Sequence, residues 1–277
     1  MFPYKIVFSD IDETLLTSRQ TVTDAAKAAI RTLEDSGIPF VLVSARMPAA
    51  ITEISAMIGS HSPVISYSGA MIQDARQNTL FETRLDRSSL EKVMTLIQSR
   101  WPGVILNYYA GSSWYVEDAS PKPVQTESRI VRLHPTVTKF SGLIRQDLMP
   151  HKLLCMGSPK ECLQMEEIIN QEVPQLFAVR SYPTLLEITD ASVNKAAGIA
   201  HLLHLLSLDK QDAIAFGDSQ NDLRMLQYVG WGVAMGNADD EVKRLADDVA
   251  LSNNEDGIFH YLKKAGLSLE SYKQEEI

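Results

Sequence analysis

Apolar and polar positions along this chain follow two rhythms. Short β-rich apolar runs that end on a polar group alternate with stretches in which apolar residues recur every three or four positions. This is the pattern of a parallel sheet covered by crossover helices. Ile6-Val7-Phe8 opens a strand running to Asp10, and Thr23 has the chemistry of an N-cap for a helix through Ser36 that Gly37 ends. Ile38 to Ser44 reads as a second strand, Pro48 to about Gly59 as a helix, and Val64 to Tyr67 as a third strand. The same alternation returns late in the chain. A helix is expected over Lys195 to Leu206, a strand over Ala213 to Gly217, a helix over Asp222 to Tyr228, a strand over Val233 to Met235, a helix over Asp239 to Ala246 and a last strand over Asp248 to Leu251.

Between these halves the character changes. A helix from Ser88 to Arg100 precedes strands near Val104 to Tyr109 and Ser113 to Glu117, then an irregular Pro-rich stretch from Ala119 to His134. Strand Lys152 to Met156, helix Pro159 to Gln171 and a hairpin-like pair, Leu176 to Ser181 and Leu185 to Thr189, complete a block with mainly antiparallel strands. The expected fold is therefore α/β: a doubly wound, Rossmann-like parallel sheet core over residues 1–82 and 189–277, with an α+β cap domain inserted at 83–188.

Composition narrows the function classes. A chain of 277 residues, 45% hydrophobic, buries one large core or two modest ones. Its formal net charge of −9 argues against nucleic acid, whose binding draws on a basic surface, and points to a small ligand. The longest apolar runs are too short to span a bilayer, and Asp10, Asp12 and Glu13 are acidic within the first fifteen residues, so a cytoplasmic protein without a membrane partner is expected. Cys155 and Cys162 offer neither a disulfide framework nor paired metal spacing and suit a reducing compartment.

The candidate chemistry lies where strands end, because open parallel sheets take ligands beyond the carboxyl ends of their strands. Asp10, Ser44 and Asp218 all fall there, and Lys195 opens an apolar helix. Together they suit phosphate-ester chemistry, which needs a positioned nucleophile, charge neutralisation and a proton for the leaving oxygen. Asp10 can attack phosphorus to give an aspartyl phosphate; Asp12 can protonate the leaving alkoxide and then activate water. Magnesium, a hard cation, suits the remaining oxygens, with Asp10 and Asp218 as direct ligands, Asp12 contributing its backbone carbonyl, and Asp222 coordinating directly or through water. Lys195 would offset the gathered negative charge, and the Ser44 hydroxyl with nearby backbone amides would hold phosphoryl oxygens.

Across essentially its full length the chain resembles the haloacid dehalogenase superfamily, in its Cof-type group with a large α/β cap. Asp10-Ile-Asp12-Glu-Thr14, Val43-Ser44-Ala45-Arg46, Asn194-Lys195 and Gly217-Asp218-Ser-Gln-Asn221-Asp222 carry the resemblance, supported by Gly232-Val-Ala-Met-Gly236-Asn-Ala. What it implies is a magnesium-dependent phosphatase of a small phosphorylated metabolite, a sugar phosphate or a phosphorylated cofactor or precursor; separately, a monomer or small homo-oligomer is expected. Catalytic roles then fall to Asp10, Asp12 and Lys195, metal binding to Asp10, Asp12, Asp218 and Asp222, and phosphate or substrate contacts to Ser44, Arg46, Asn221, Ser68 and Gly69. The chain departs from the family pattern at Glu13 and Ala45, where Gly is usual, at Ser44 for Thr, at Ser68 for Asn, and at Ala196, where Gly is frequent.

Other readings are weaker. His201 and His204 lie three apart on a helix without a third ligand, Gly230-x-Gly232-x-x-x-Gly236 misses the dinucleotide spacing, and no GxSxG elbow is present. In the cap, Tyr108, Tyr109, Trp114 and Tyr115 read first as core, while Lys122, Arg129, Arg132 and Arg180 are candidates to meet an anionic or hydroxyl-rich leaving group. A phosphomutase of the same architecture and a non-catalytic metabolite-binding module are the rival functions. A phospho-accepting receiver is disfavoured, since Asp10 follows the first strand rather than the third.

Overall fold

The computed structural model describes residues 2–269. In chain order the first segment holds β1 (Ile6–Ser9), α1 (Asp24–Asp35), β2 (Phe40–Val43), α2 (Pro48–Ile58), β3 (Val64–Ser66), β4 (Met71–Gln73) and β5 (Thr79–Glu82). There follow α3 (Arg87–Arg100), β6 (Ile105–Ala110), β7 (Ser113–Val116), α4 (Lys122–Val131), β8 (Thr136–Val137), α5 (Phe140–Arg145), β9 (Lys152–Met156), α6 (Pro159–Glu172), β10 (Leu176–Tyr182) and β11 (Leu185–Asp190). The last segment holds α7 (Lys195–Leu205), β12 (Ala213–Gly217), α8 (Leu223–Tyr228), β13 (Trp231–Ala234), α9 (Asp240–Leu245), β14 (Asp248–Val249) and α10 (Gly257–Lys264).

The chain divides into two compact units. Among the described residues, one comprises those through Arg46, Ile51–Phe81 and those from Asn194 on; the other comprises Met47–Ala50 and Glu82–Val193. In the first, eight strands run in the order β14-β13-β12-β1-β2-β3-β4-β5. Neighbours from β14 to β3 pair in parallel, and β4 returns antiparallel to β3. The order reverses at β1, which lies between β12 and β2, so the crevice beyond its carboxyl end is the switch point of a doubly wound sheet. Burial on both faces explains why these strands read as continuous apolar runs: Ile6, Val7 and Phe8 are fully buried, as are Ala213 to Phe216. Val7, Phe40 and Ile214 pack with α1 on one face, and Phe8, Val41 and Ala215 with Ile199 and Leu202 of α7 on the other.

The second unit is a six-stranded sheet ordered β10-β11-β9-β6-β7-β8, antiparallel throughout except for β7 with β8. Tyr108, Leu153, Cys155, Leu186 and Ile188 form its apolar face with Leu90, Val93 and Met165 of α3 and α6. Its exposed edge strand is partly closed by α6. Asn170 exchanges two hydrogen bonds with the main chain of Ala178, at 2.8 and 2.9 Å, and Glu166 accepts from the amide of Arg180 at 3.0 Å.

Six elements among the described residues are absent from the sequence reading: β4, β5, α4, β8, α5 and α10. The stretch expected to be irregular contains α4, because Pro121 and Pro123 stand at its N-cap and first turn, where a missing amide hydrogen costs nothing. The β4–β5 arm and α10 were not expected from the pattern. Asp74 organises the arm's turn by accepting from the amides of Arg76 and Asn78. Among the described residues no helix is long and apolar enough to cross a membrane.

Candidate active site

The site begins with β1. The strand delivers Asp10 to the sheet's carboxyl edge, where its amide donates to the Phe216 carbonyl of β12 at 3.0 Å. The chain then turns tightly through Ile11–Leu15, closed by the Leu16 amide on the Ile11 carbonyl at 2.8 Å. Glu13 occupies the left-handed region, with φ 54°. That explains why glycine suits this position. Here Glu13 is held instead by two asparagines: Asn237 donates to its carbonyl at 2.8 Å and Asn253 to its carboxylate at 3.3 Å.

Opposite Asp10, the Asn194 side chain accepts from the Ala197 amide and caps α7, so that Lys195 is the first helical residue. Its side chain is almost wholly buried and donates to Asp10 Oδ1 at 2.5 Å and to Asp222 Oδ1 at 2.6 Å. Asp222 Oδ2 accepts from the amides of Asp218 and Ser219, each at 3.1 Å, and thereby shapes the loop that presents Asp218. Asp218 in turn accepts from Thr14 Oγ1 at 2.7 Å. One oxygen from each of Asp10, Asp218 and Asp222 lies within 4.8 Å of the others.

These groups are electrostatically strained. Burial pushes the Asp10 carboxyl up, opposed by Lys195 and reinforced by Asp222 and Asp218. Burial likewise raises Asp218 to about 6 despite the Thr14 hydrogen bond. Burial alone would lower the Lys195 ammonium, but Asp10 and Asp222 outweigh it and carry its pKa up.

The other expected residues fall into two sets. Ser44 and Arg46 end β2: Ser44 Oγ accepts from the Arg46 amide at 3.2 Å, and the Ser44 carbonyl accepts from the Ser68 amide at 2.9 Å. Arg46 forms a fork with Asp12, Nε to Oδ2 at 2.9 Å and Nη2 to Oδ1 at 2.5 Å. The Asp12 carboxylate lies outside the Asp10–Asp218–Asp222 group. Gly69 has φ 111°, and a Cβ there would meet the Asn194 carbonyl oxygen at 2.3 Å, so the turn carrying Ser68 and Gly69 abuts the start of α7. Asn221 is exposed and accepts from Ser219 Oγ at 2.7 Å. Thr14, Ser219 and Asn253 were not singled out as site residues. Thr14 stood in the DIDET motif, whereas nothing in the sequence marked Asn253. In the second unit, Tyr108 stacks on Phe140 at 5.2 Å within the apolar core, and Arg180 pairs with Glu166 at 2.6 Å.

The family model for haloacid dehalogenase-like hydrolases matches residues 7–262. The chain belongs to that family. A Haemophilus influenzae protein named as a phosphatase is 32% identical over 257 residues, 92% of this chain and 95% of that one. The 5-amino-6-(5-phospho-D-ribitylamino)uracil phosphatase YcsE of Bacillus subtilis is 29% identical, covering 92% of each chain. The crystal structure of a haloacid dehalogenase-like hydrolase from Bacteroides thetaiotaomicron superposes with a TM-score of 0.84 at 25% identity, over 94% of this chain and 99% of that one. Within the haloacid dehalogenase-like hydrolases this chain is an enzyme of the phosphatase type, and the parallel sheet with its reversal at β1 is the fold it shares with them.

Proposed function

We propose that this chain is a magnesium-dependent phosphatase that hydrolyses a small phosphorylated metabolite through an aspartyl phosphate on Asp10. The observation that carries the reading is the Lys195 ammonium joining Asp10 to Asp222 beside Asp218 at the switch point of the sheet. Lys195 takes Asp10 Oδ1, and Oδ2 makes no hydrogen bond among the described residues, which suits it to attack phosphorus. When that bond forms, the ester bond breaks with its electron pair on the leaving oxygen, and Asp12 supplies the proton that oxygen needs. The Ser44 hydroxyl and the amides of the Ile11–Leu15 turn are suited to the phosphoryl oxygens.

The donor set fits magnesium. Three carboxylates face one ammonium, leaving net negative charge, and every donor is a hard oxygen. Asp10 and Asp218 would hold the ion with the Asp12 carbonyl. Asp222, whose oxygens serve Lys195 and the loop amides, would stand behind them. Bound there, the ion supplies charge neutralisation for the phosphoryl group. The YcsE relative supports a substrate of the phosphorylated sugar or cofactor-precursor class, since the compound in its name carries its phosphate on a ribityl chain. The −9 net charge and the reduced cysteines fit a small ligand and a cytoplasmic setting.

The test is phosphate release from p-nitrophenyl phosphate. Turnover is expected to require magnesium and to fall at least a thousandfold in Asp10→Asn. Metal-independent turnover, or an active Asp10→Asn protein, would overturn the reading.

A further inference from the structure

Arg46 was expected to touch substrate, yet its guanidinium is committed to another side chain. Both oxygens of Asp12 accept from it, at 2.9 and 2.5 Å, in the side-by-side fork that planar guanidinium and carboxylate groups form. The fork fixes the torsions of Asp12 in a way a single contact cannot. Arg46 is itself held at both ends of its residue: its amide donates to Ser44 Oγ at 3.2 Å and its carbonyl accepts from the Tyr67 amide at 3.0 Å. Its Nη2 also reaches Gln20 Oε1 at 3.4 Å. Asp12 has no rigid element of its own, since it lies in the turn next to Glu13 with φ 54°, and its side chain is half exposed. The order in this acid/base carboxylate is therefore imported from Arg46.

We infer that Arg46 is a positioning residue that aims Asp12 as the base of phosphoenzyme hydrolysis. This rests on the aspartyl-phosphate reading above. The fork turns both Asp12 oxygens toward one guanidinium and so fixes where the carboxylate stands when a water proton has to be taken. In the hydrolytic step the water oxygen bonds to phosphorus while the phosphorus–oxygen bond to Asp10 breaks, its electron pair returning to the Asp10 carboxylate. The proton lost by water goes to Asp12. Asp12 then holds the proton that the next leaving group needs, as in the first half of the cycle. Arg46 then matters most to the second half of the cycle. With an activated ester such as p-nitrophenyl phosphate, whose leaving group needs no proton, its loss shows only there.

Rapid-mixing kinetics on p-nitrophenyl phosphate separates the halves. Arg46→Gln is expected to release a burst of about one p-nitrophenol per site at the native rate. The steady rate that follows should fall at least tenfold, with KM lowered and a hydroxylamine-sensitive phosphoenzyme accumulating. Arg46→Lys, which keeps the charge but not the fork, should show the same burst with a smaller loss. The Arg46→Gln/Asp12→Asn double variant should be no slower than Asp12→Asn alone. A slowed burst with raised KM would show that Arg46 binds the substrate phosphate directly and would overturn the inference. So would additive losses in the double variant. If the native protein forms no hydroxylamine-sensitive phosphoenzyme and Asp10→Asn stays active, the underlying phosphatase reading fails instead, which the Arg46 data alone cannot produce.

Discussion

At the scale of single residues the site is a group of like charges held together by one cation, and its acidity follows. Asp218 keeps its proton to about 6 because it is buried, so a proton would compete with the magnesium proposed there. Magnesium affinity, measured by calorimetry, is expected to drop steeply as pH falls from 7 to 5. The linkage has a definite sign. A carboxyl whose folded pKa is raised stabilises the metal-free protein fully below its ordinary 3.8 and loses that contribution as pH rises through about 6. Added magnesium should restore stability above that window and do little below it; an affinity independent of pH would refute the assignment of Asp218. The places of the candidate residues were legible because charge and hydroxyl type are written in the sequence: Asp10, Ser44 and Asp218 follow strands and Lys195 opens α7, as the pattern indicated. What could not be read was who pairs with whom. Lys195 to Asp222 is a separation of 27 residues and Arg46 to Asp12 one of 34, and only the tertiary fold decides such partners. Glu13 shows the same limit, since its left-handed backbone is tolerated through Asn237 and Asn253, far along the chain.

At the scale of elements, the site depends on how closely a turn and a helix approach. The turn after β3 meets the start of α7 backbone to backbone: a Cβ on Gly69 would lie 2.3 Å from the Asn194 carbonyl oxygen, and one on Gly198 would lie 2.7 Å from the Gly69 Cα. Gly69→Ala therefore either displaces the first turn of α7 or distorts its own backbone. Its backbone region alone costs a side chain of order 1–3 kcal/mol. The expected result is a lower thermal midpoint together with a kcat loss larger than that of a distant variant of equal stability, because Lys195 moves with the turn. Unchanged kcat in a folded Gly69→Ala protein would show that α7 tolerates the shift. Elements with strong local signals were legible: α1 starts at its Thr23 cap, and β9 spans Lys152–Met156 as expected. Those missed lack such signals. The two residues of β8 are too short for any period, and α4 hides behind prolines that suggest a loop unless they are recognised as a helix start.

At the scale of the molecule, each compact unit carries its own apolar core, that of the second lying wholly between Leu85 and Ile188. Units with separate cores need not melt together. They also respond to pH in opposite senses. In the second unit, His151 accepts from the Gly111 amide through Nδ1 at 3.0 Å and meets Glu82 through Nε2 at 3.2 Å. Burial, helped by Arg84, lowers its pKa from the ordinary 6.5 to about 4. A depressed folded pKa gives stability that is whole above 6.5 and lost as pH falls toward 4, the reverse of the Asp218 case. Scanning calorimetry of the metal-free protein is expected to show two transitions. The one raised by magnesium belongs to the first unit, and the one lowered on going from pH 7 to 5 belongs to the second. A single transition with equal calorimetric and van't Hoff enthalpies would show that the units unfold as one. The strand order has a consequence for synthesis. β1 emerges early, but its neighbour β12 begins only at Ala213, so the central strand of the sheet leaves the ribosome with one flank bare and keeps it bare while more than half the chain is made. The second unit is fully translated in that interval and can reach its native state first, and Asp10 acquires its lysine only when α7 arrives.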